Sequence, residues 1–358
     1  MTVNWDKVTP EAAGFAANLE RKFDAGLEAG LLRDFHALAV SRNGKLVFER
    51  YFEGRDEAWG DDLGHVVFGP DTLHDLRSVT KSVTSLLYGI ALERGLVPPL
   101  DTPVVDGFPE YPDLVADPER RKVTVEHTFN MVMGMEWDEN RPYTDPLNSE
   151  IAMERAPDRY RFILDRPIVE PPGQRWIYSG GAVALIGALI TRGTGKSLTQ
   201  FARETLFGPL GIDDFFWCAG VDGEESAASG LRMTTRGLLR VGDMLANGGV
   251  FEGRQVVPKS WIDACLTSAI QTSFDTGYSR LWYLEISRAP AFAGTQEATR
   301  PWAGGFGNGG QRLWFSPSTG IAAVAYLGQY NDWSSWIMPT RFWHEMVMRN
   351  FERMRDLD

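Results

Sequence analysis

Cysteine and positive charge are both scarce in this sequence. Only Cys218 and Cys265 occur among 358 residues, and neither belongs to a C-x-x-C pattern or a cluster with histidine. Disulfide frameworks and zinc sites therefore lack support. Lysine and arginine total 36 against 48 aspartates and glutamates, which gives a formal net charge of -12. Because such a charge repels phosphate backbones and anionic lipids, we expect neither a nucleic-acid partner nor a membrane partner.

Long apolar runs are also missing. The segment Met1–Lys7 has no basic stretch followed by an apolar run, so it does not resemble a secretory signal, and we expect a cytoplasmic location. The most apolar stretch, Gly180–Ile190, is about half the length of a membrane span and is followed by Thr191-Arg192-Gly193. It predicts a buried helix and no transmembrane segment.

Hydrophobic periodicity predicts a mixture of helices and strands. An amphipathic helix is expected from Pro10 to about Leu32, and Asn43-Gly44 between two apolar alternations predicts a hairpin. A mostly apolar helix is expected from near Ser78 to Gly95. Further predictions are helices at Leu198–Leu206, Thr235–Ala246 and Pro339–Met354, a hairpin at 248–257, and strands at Ser279–Leu284, Gln311–Phe315 and Gly320–Leu327.

Predicted strands lie near both ends of the chain, whereas the middle is mainly helical. If the early and late strands join one antiparallel sheet, the protein is a single α+β unit. We then expect a discontinuous sheet lobe from residues 1–75 and 226–358, and a helical lobe from residues 76–225. Such an arrangement predicts a cleft between the lobes.

The segment Ser78-Val79-Thr80-Lys81 places a hydroxyl and an amine three residues apart at the start of a predicted helix. On a helix this spacing brings both side chains to one face, where a neutral amine can take the hydroxyl proton. The helix N-terminus also stabilises an anion that develops there. Because the pattern is expected roughly once by chance in a chain of this length, it is weak evidence by itself.

A second segment, Trp176-Ile177-Tyr178-Ser179-Gly180, precedes the apolar helix. A tyrosine at the mouth of that helix can complete a hydrogen-bonding set around a nucleophile. Taken alone, Tyr178 is better explained as an ordinary half-buried tyrosine.

These two segments, together with Ser229–Thr234, resemble the serine β-lactamase-like superfamily. The similar branches are class C β-lactamases, family VIII carboxylesterases, D-aminopeptidases and 6-aminohexanoate-dimer hydrolases. The resemblance covers about residues 35 to 350 and implies a β-lactamase/transpeptidase-like fold, with an antiparallel sheet flanked by helices and an inserted helical lobe. It also implies acylation of Ser78, with Lys81 matching the general base and Tyr178 sharing proton transfer. Which of the two is the base stays open.

Two departures from the family pattern bear on the substrate. The family's third motif, Lys-Thr-Gly, is absent, and the matching region begins at Gly305. The resemblance implies that the backbone amide of Asn308, which follows Gly307, is the second donor of the oxyanion hole, together with the amide of Ser78. Class C enzymes carry an asparagine where this chain has Gly180. Both losses remove groups that hold a β-lactam, so esters and linear amides are favoured.

The resemblance also places several aromatic side chains near the cleft, where they predict either a hydrophobic acyl pocket or ordinary core packing. They are Trp137, Tyr143, Trp176, Phe306, Tyr330 and Trp333. The leading hypothesis is a serine hydrolase for small esters or linear amides that needs no cofactor and no metal. The alternatives are a β-lactamase, a D-aminopeptidase or DD-peptidase-like enzyme, and a scaffold that binds without turnover. The sequence makes no prediction of oligomeric state.

Overall fold

Strands from both ends of the sequence meet in one antiparallel sheet. The computed structural model describes residues 3–288 and 299–351. The strands of this part are β1 (Phe35–Arg42), β2 (Lys45–Tyr51), β3 (Glu53–Ala58), β4 (Asp61–Val67), β5 (His74–Asp75), β6 (Phe215–Trp217), β7 (Leu231–Met233), β8 (Val250–Phe251), β9 (Arg254–Gln255), β10 (Ile270–Gln271), β11 (Gly277–Ser279), β12 (Trp282–Arg288), β13 (Thr299–Gly307), β14 (Gln311–Ser316) and β15 (Ile321–Leu327).

The main sheet has the strand order β10-β11-β12-β13-β14-β15-β1-β2, so the first strands pair beside the last. The hairpin predicted at Asn43-Gly44 is confirmed, because Arg42 pairs with Lys45 across it. Asn43 and Gly44 have φ of 49° and 80°. Two successive residues in the left-handed region match the twist of the flanking strands.

Helices cover the sheet and fill the middle of the chain. Helix Val79–Glu93 is buried on every side from Val79 to Ala91, and it packs against both helix Gly180–Thr194 and β13. The helices in chain order are α1 (Leu19–Glu28), α2 (Val79–Glu93), α3 (Pro112–Val115), α4 (Val125–Phe129), α5 (Ser149–Glu154), α6 (Arg159–Leu164), α7 (Gly180–Thr194), α8 (Leu198–Ala202), α9 (Thr235–Ala246), α10 (Lys259–Cys265) and α11 (Ile337–Arg341).

Two predicted element boundaries near turns were wrong. The opening helix begins only at Leu19, because Pro10 starts a turn and Gly14, with φ of 75°, cannot continue a right-handed helix. A turn interrupts the strand predicted at Ser279–Leu284, because Ser279 ends β11 and Trp282 begins β12. Arg280 and Leu281 have φ of 48° and 71°, and Ser279 pairs with Trp282.

Two further helices are less regular than the periodicity predicted. Helix α8 changes to a π-helix at Arg203–Phe207. The closing helix α11 continues as a π-helix at Phe342–Val347 and a 3-10 turn at Met348–Asn350. The last residues of that prediction, 352–354, lie outside the described residues.

The predicted fold class is confirmed: an antiparallel sheet is flanked by helices, and the helices α2 to α8 lie between its early and late strands in the sequence. The division into two lobes at residues 75 and 225 stays a prediction. In the described part of the chain, no helix has the length and apolar character needed to cross a membrane.

Glycines allow β13 to lie directly against the start of α2. A Cβ at position 305 would lie 2.7 Å from Ser82 Oγ, and a Cβ at position 307 would collide with the carbonyl oxygen of Leu76. Because a backbone carbonyl cannot rotate away like a side chain, position 307 tolerates only glycine without a shift of the strand. The end of β13 is thereby fixed beside the segment that enters α2.

We expect Gly307→Ala to lower the free energy of unfolding by about 1–3 kcal/mol, because the added methyl group forces β13 away from Leu76. Gly69→Ala is a matched control, since the nearest atom to its Cβ is Thr72 Oγ1 at 3.9 Å. Urea denaturation of both variants measures the difference. Equal stability of the two variants would show that the close approach is not a constraint.

Candidate active site

Ser78 and Lys81 meet at the N-terminal end of α2. Ser78 is the N-cap residue, and Lys81 lies in the first turn with 2% of its surface exposed. The Lys81 amine donates to Ser78 Oγ at 3.1 Å and to the carbonyl oxygen of Ala228 at 3.0 Å. The amine is therefore held between these two oxygens, one of which is the serine hydroxyl.

Tyr178 reaches the same hydroxyl from the other helix. Its hydroxyl forms a hydrogen bond with Ser78, and the Lys81 amine lies 4.9 Å from the centre of its ring. The following residue, Ser179, caps α7 by accepting from the Ala182 amide at 3.1 Å. Burial, and then the charge of Glu139, raise the pKa of Tyr178 well above 10. Tyr178 is therefore a neutral phenol at neutral pH.

Sequence reasoning missed Glu139, which lies next to this set. One carboxylate oxygen accepts hydrogen bonds from Trp137 Nε1 at 2.6 Å and from the amide of Gly180, and the other accepts from the Tyr143 hydroxyl at 3.1 Å. Trp137 and Tyr143, two of the predicted pocket residues, are thus held by one carboxyl group. Glu139 also connects them to the first residue of α7.

A second buried carboxyl group, Glu150, explains the glycine at position 180. A Cβ there would lie 2.8 Å from Glu150 Cδ and 3.1 Å from Glu139 Oε1. The space that an asparagine side chain would need is therefore occupied by the two glutamates. Gly180 was the only signal in the sequence that pointed toward them.

The pKa of Glu139 is raised to about 8. Burial is the largest cause, the charge of Glu150 adds to it, and the charge of Lys81 opposes it. A carboxyl group with this pKa is protonated at neutral pH. In this form it adds no negative charge beside Ser78, Lys81 and Tyr178.

The predicted oxyanion residues lie on the opposite wall. Gly307 ends β13, and Asn308 follows it, with its side-chain oxygen accepting from the Asn331 amide at 2.9 Å. Ser78, Gly307 and Asn308 all line the same cavity. The assignment of the Asn308 amide as the second oxyanion donor stays a prediction.

This cavity has a volume of about 790 Å³, and both aromatic and polar side chains line it beside Ser78. Of the predicted aromatic residues, Tyr330 lies outside the lining and donates instead to Asp56 Oδ1 at 2.7 Å. The other five line the cavity: Trp137, Tyr143, Trp176, Phe306 and Trp333. Further lining residues that the sequence did not indicate include Phe274, Tyr283 and Arg312.

Arg312 places a positive charge in the cavity, although the chain lacks the lysine of the Lys-Thr-Gly motif. It pairs with Phe306 across β13 and β14, and its guanidinium lies 4.6 Å from the centre of the Phe306 ring. Burial lowers the pKa of Arg312 to about 10, so it remains charged at neutral pH. One nitrogen donates to the carbonyl oxygens of Gly307 and Gln311.

Glu139→Gln tests whether this carboxyl group is protonated in the folded protein. The folded state, with a pKa of about 8 for Glu139, keeps a proton that an unfolded glutamate with a pKa near 4.5 releases. The free energy of unfolding therefore falls as pH rises from 5 to 8, by at most about 1.4 kcal/mol per pH unit. We expect urea denaturation to show a shallower fall for the variant.

The control for this measurement is Glu136→Gln, which changes an exposed glutamate three residues away. It should keep the pH slope of the unmodified protein. Identical slopes for Glu139→Gln and the unmodified protein would contradict a raised pKa at Glu139.

The sequence is similar to characterised hydrolases over most of its length. A family model described as Beta-lactamase matches residues 20–333. The chain is 26% identical over 300 residues to the 6-aminohexanoate-dimer hydrolase of Paenarthrobacter ureafaciens. The aligned region covers 77% of this chain and 70% of that protein. It is 28% identical over 211 residues to esterase EstB of Burkholderia gladioli, and this aligned region covers 57% of this chain and 52% of that protein.

Among solved structures, a family VIII carboxylesterase has the same fold. The TM-score is 0.64 at 18% sequence identity, and the match covers 90% of this chain and 95% of that chain. The resemblance that the motifs around Ser78, Tyr178 and Ser229 indicated is therefore confirmed. The chain belongs to the beta-lactamase family, and it is a serine hydrolase.

Proposed function

We propose that this hydrolase cleaves small esters or linear amides through an acyl-enzyme formed on Ser78. The observation that carries the proposal is the convergence of Lys81 and Tyr178 on the Ser78 hydroxyl beside an aromatic-lined cavity. The three groups supply a nucleophile, a base and an acid. A cytoplasmic location stays a prediction from the sequence.

We assign Lys81 as the base and Tyr178 as the acid. A phenol with a pKa well above 10 is a proton donor at neutral pH. The Lys81 amine lies 3.1 Å from Ser78 Oγ, within reach of the hydroxyl proton. In acylation, Ser78 Oγ gives its proton to Lys81 and bonds to the substrate carbonyl carbon. Tyr178 then protonates the leaving oxygen or nitrogen and regains a proton from Lys81.

Deacylation reverses these roles with water in place of the leaving group. Water gives its proton to the Tyr178 and Lys81 pair and attacks the acyl carbon, and Ser78 Oγ leaves with a proton. In both steps the backbone amides of Ser78 and Asn308 would bind the oxyanion. The two segments can lie close together because Gly307 has no side chain that would collide with Leu76.

The cavity favours an apolar acyl group. Phe306 stacks on Tyr283 with ring centres 4.6 Å apart, and Trp176 lies beside Phe274 and Tyr283. Flat aromatic walls bind alkyl and aryl groups through apolar contact and do not require an amide or carboxylate on the substrate. The names of two similar proteins, an esterase and a 6-aminohexanoate-dimer hydrolase, support ester or amide cleavage.

A second candidate function is β-lactam hydrolysis, and Arg312 is the observation that favours it. Its guanidinium is a cation in the cavity that a substrate carboxylate could approach, although one of its nitrogens is already bonded to two carbonyl oxygens. The glutamates that fill the space at Gly180 weigh against this candidate, because they replace the family's amide side chain with carboxyl groups.

Ser78→Ala should reduce turnover of p-nitrophenyl butyrate by at least about 10³-fold, because the variant lacks the hydroxyl on which Lys81 and Tyr178 converge. Ser318→Ala, an exposed serine, is the control and should keep full activity. Nitrocefin is assayed in parallel. Equal turnover by Ser78→Ala and the unmodified protein would refute the proposal, and nitrocefin hydrolysis as fast as ester hydrolysis would favour the second candidate.

Tyr178→Phe tests the assignment of acid and base. A nitrophenolate leaves without a proton, whereas an alkoxide or an amine anion needs one. We therefore expect a loss of about 10²–10⁴-fold in kcat/KM, which reports the acylation step, for ethyl butyrate or a linear butyramide, and a much smaller loss in kcat/KM for p-nitrophenyl butyrate.

Tyr143→Phe is the matched control, because this tyrosine lines the cavity but bonds to Glu139 rather than Ser78. This variant should change kcat/KM to the same degree for both classes of substrate. A loss for Tyr178→Phe that does not depend on the leaving group would rule out its role as the acid.

A further inference from the structure

Three buried side chains with metal-binding atoms meet on the far side of the segment that leads to Ser78. They are His36 on β1, Asp56 on β3 and His74 on β5, and each has at most 3% of its surface exposed. They lie far apart in the sequence, so no spacing pattern revealed them. None of the three lines the cavity described above.

Their facing atoms form a triangle of the size that a zinc ion requires. His36 Nδ1 lies 2.9 Å from His74 Nε2, and Asp56 Oδ1 lies 3.8 Å from the first atom and 3.5 Å from the second. A circle through the corners of a triangle with these sides has a radius of about 2.0 Å, which is the usual zinc distance for imidazole nitrogen and carboxylate oxygen.

The hydrogen bonds around the triangle orient the donor atoms inward. His74 Nδ1 lies 3.0 Å from the carbonyl oxygen of Asp75. Because a carbonyl oxygen only accepts, Nδ1 carries the proton, and the lone pair is on Nε2, which faces the other two groups. The Tyr330 hydroxyl donates to Asp56 Oδ1 at 2.7 Å. Metal-binding histidines and carboxylates in proteins are commonly held by such bonds.

The charge of Asp56 has no cationic partner among the ion pairs of the described residues except His36 and His74. Asp56 Oδ2 is buried and has no hydrogen-bond partner in the described part of the chain. Buried carboxylates without such partners are costly, and a bound cation removes that cost.

We propose that His36, Asp56 and His74 bind a structural zinc ion. The two imidazoles contribute Nδ1 and Nε2, and Asp56 contributes Oδ1, with Oδ2 able to complete a four-coordinate set. His36 then carries its proton on Nε2. The alternative is a metal-free hydrogen bond from His36 Nδ1 to His74 Nε2, which accounts for the shortest side of the triangle but leaves the Asp56 charge uncompensated.

The ion would brace the segment that enters the active site. His74 and Asp75 form β5, which pairs with β7, and Arg77 follows with φ of 47°. The Arg77 guanidinium lies 4.7 Å from the centre of the Tyr330 ring, and Tyr330 bonds to Asp56. Zinc would therefore connect β1, β3 and β5 with the residue that precedes Ser78, without contact with the substrate.

The test is the metal content of protein produced with added zinc and purified without a metal-affinity tag. We expect inductively coupled plasma mass spectrometry to find about one zinc ion per chain in the unmodified protein, and less than about a tenth of a zinc ion per chain in Asp56→Asn. The control is His65→Ala, which removes an exposed histidine on β4 and should keep the zinc. Protein that is unfolded in a chelator and refolded without zinc should melt about 3–6 °C lower than protein refolded with zinc.

A variant that fails to fold does not decide the question, because refolding of the unmodified protein with Co²⁺ gives an independent reading. Cobalt held by two imidazoles and a carboxylate should produce a visible d–d absorption band, which the chelator-treated protein lacks. Unmodified protein with less than about a tenth of a zinc ion, no gain in melting temperature and no cobalt band would overturn the proposal. One equivalent of another transition metal would overturn the choice of zinc.

Discussion

The burial of helix α2 on every side is the constraint on which the active site depends. From Val79 to Ala91 each residue is enclosed, by α7 on one side and by the sheet strand β13 on another. A helix packed in this way cannot rotate or slide without opening voids, and interiors tolerate such voids poorly. The first turn therefore holds Ser78 and Lys81 in one fixed arrangement, and the two packing partners bring Tyr178 and the end of β13 to the same point.

Around that fixed turn, the structure places ionisable groups so that their protonation states suit acyl transfer. Tyr178 is held as a phenol, and Glu139 is held as a neutral acid by burial and by Glu150. The same glutamate accepts hydrogen bonds from two pocket residues and from the first amide of α7. One carboxyl group therefore affects both the shape of the pocket and the charge around Ser78. Its position beside Gly180, together with that of Glu150, leaves no space for a larger side chain there.

Much of the fold followed from local patterns in the sequence. The hairpin at Asn43-Gly44 and the apolar helices after Ser78 and Ser179 were predicted, because turn chemistry and hydrophobic periodicity are local properties. The turn at Arg280 and Leu281 was missed, because non-glycine residues with positive φ carry no clear sequence signal. Glu139, Arg312 and the group of His36, Asp56 and His74 were missed for another reason. Their roles arise from contacts between distant segments, and only the folded chain brings these together.

The central claim is that Ser78 is the residue that becomes acylated. The most direct measurement is reaction with a fluorophosphonate probe, followed by digestion and tandem mass spectrometry of the labelled peptide. We expect one adduct per chain, located on Ser78, and no labelling of Ser78→Ala. An adduct on any other residue, or equal labelling of the variant, would contradict it.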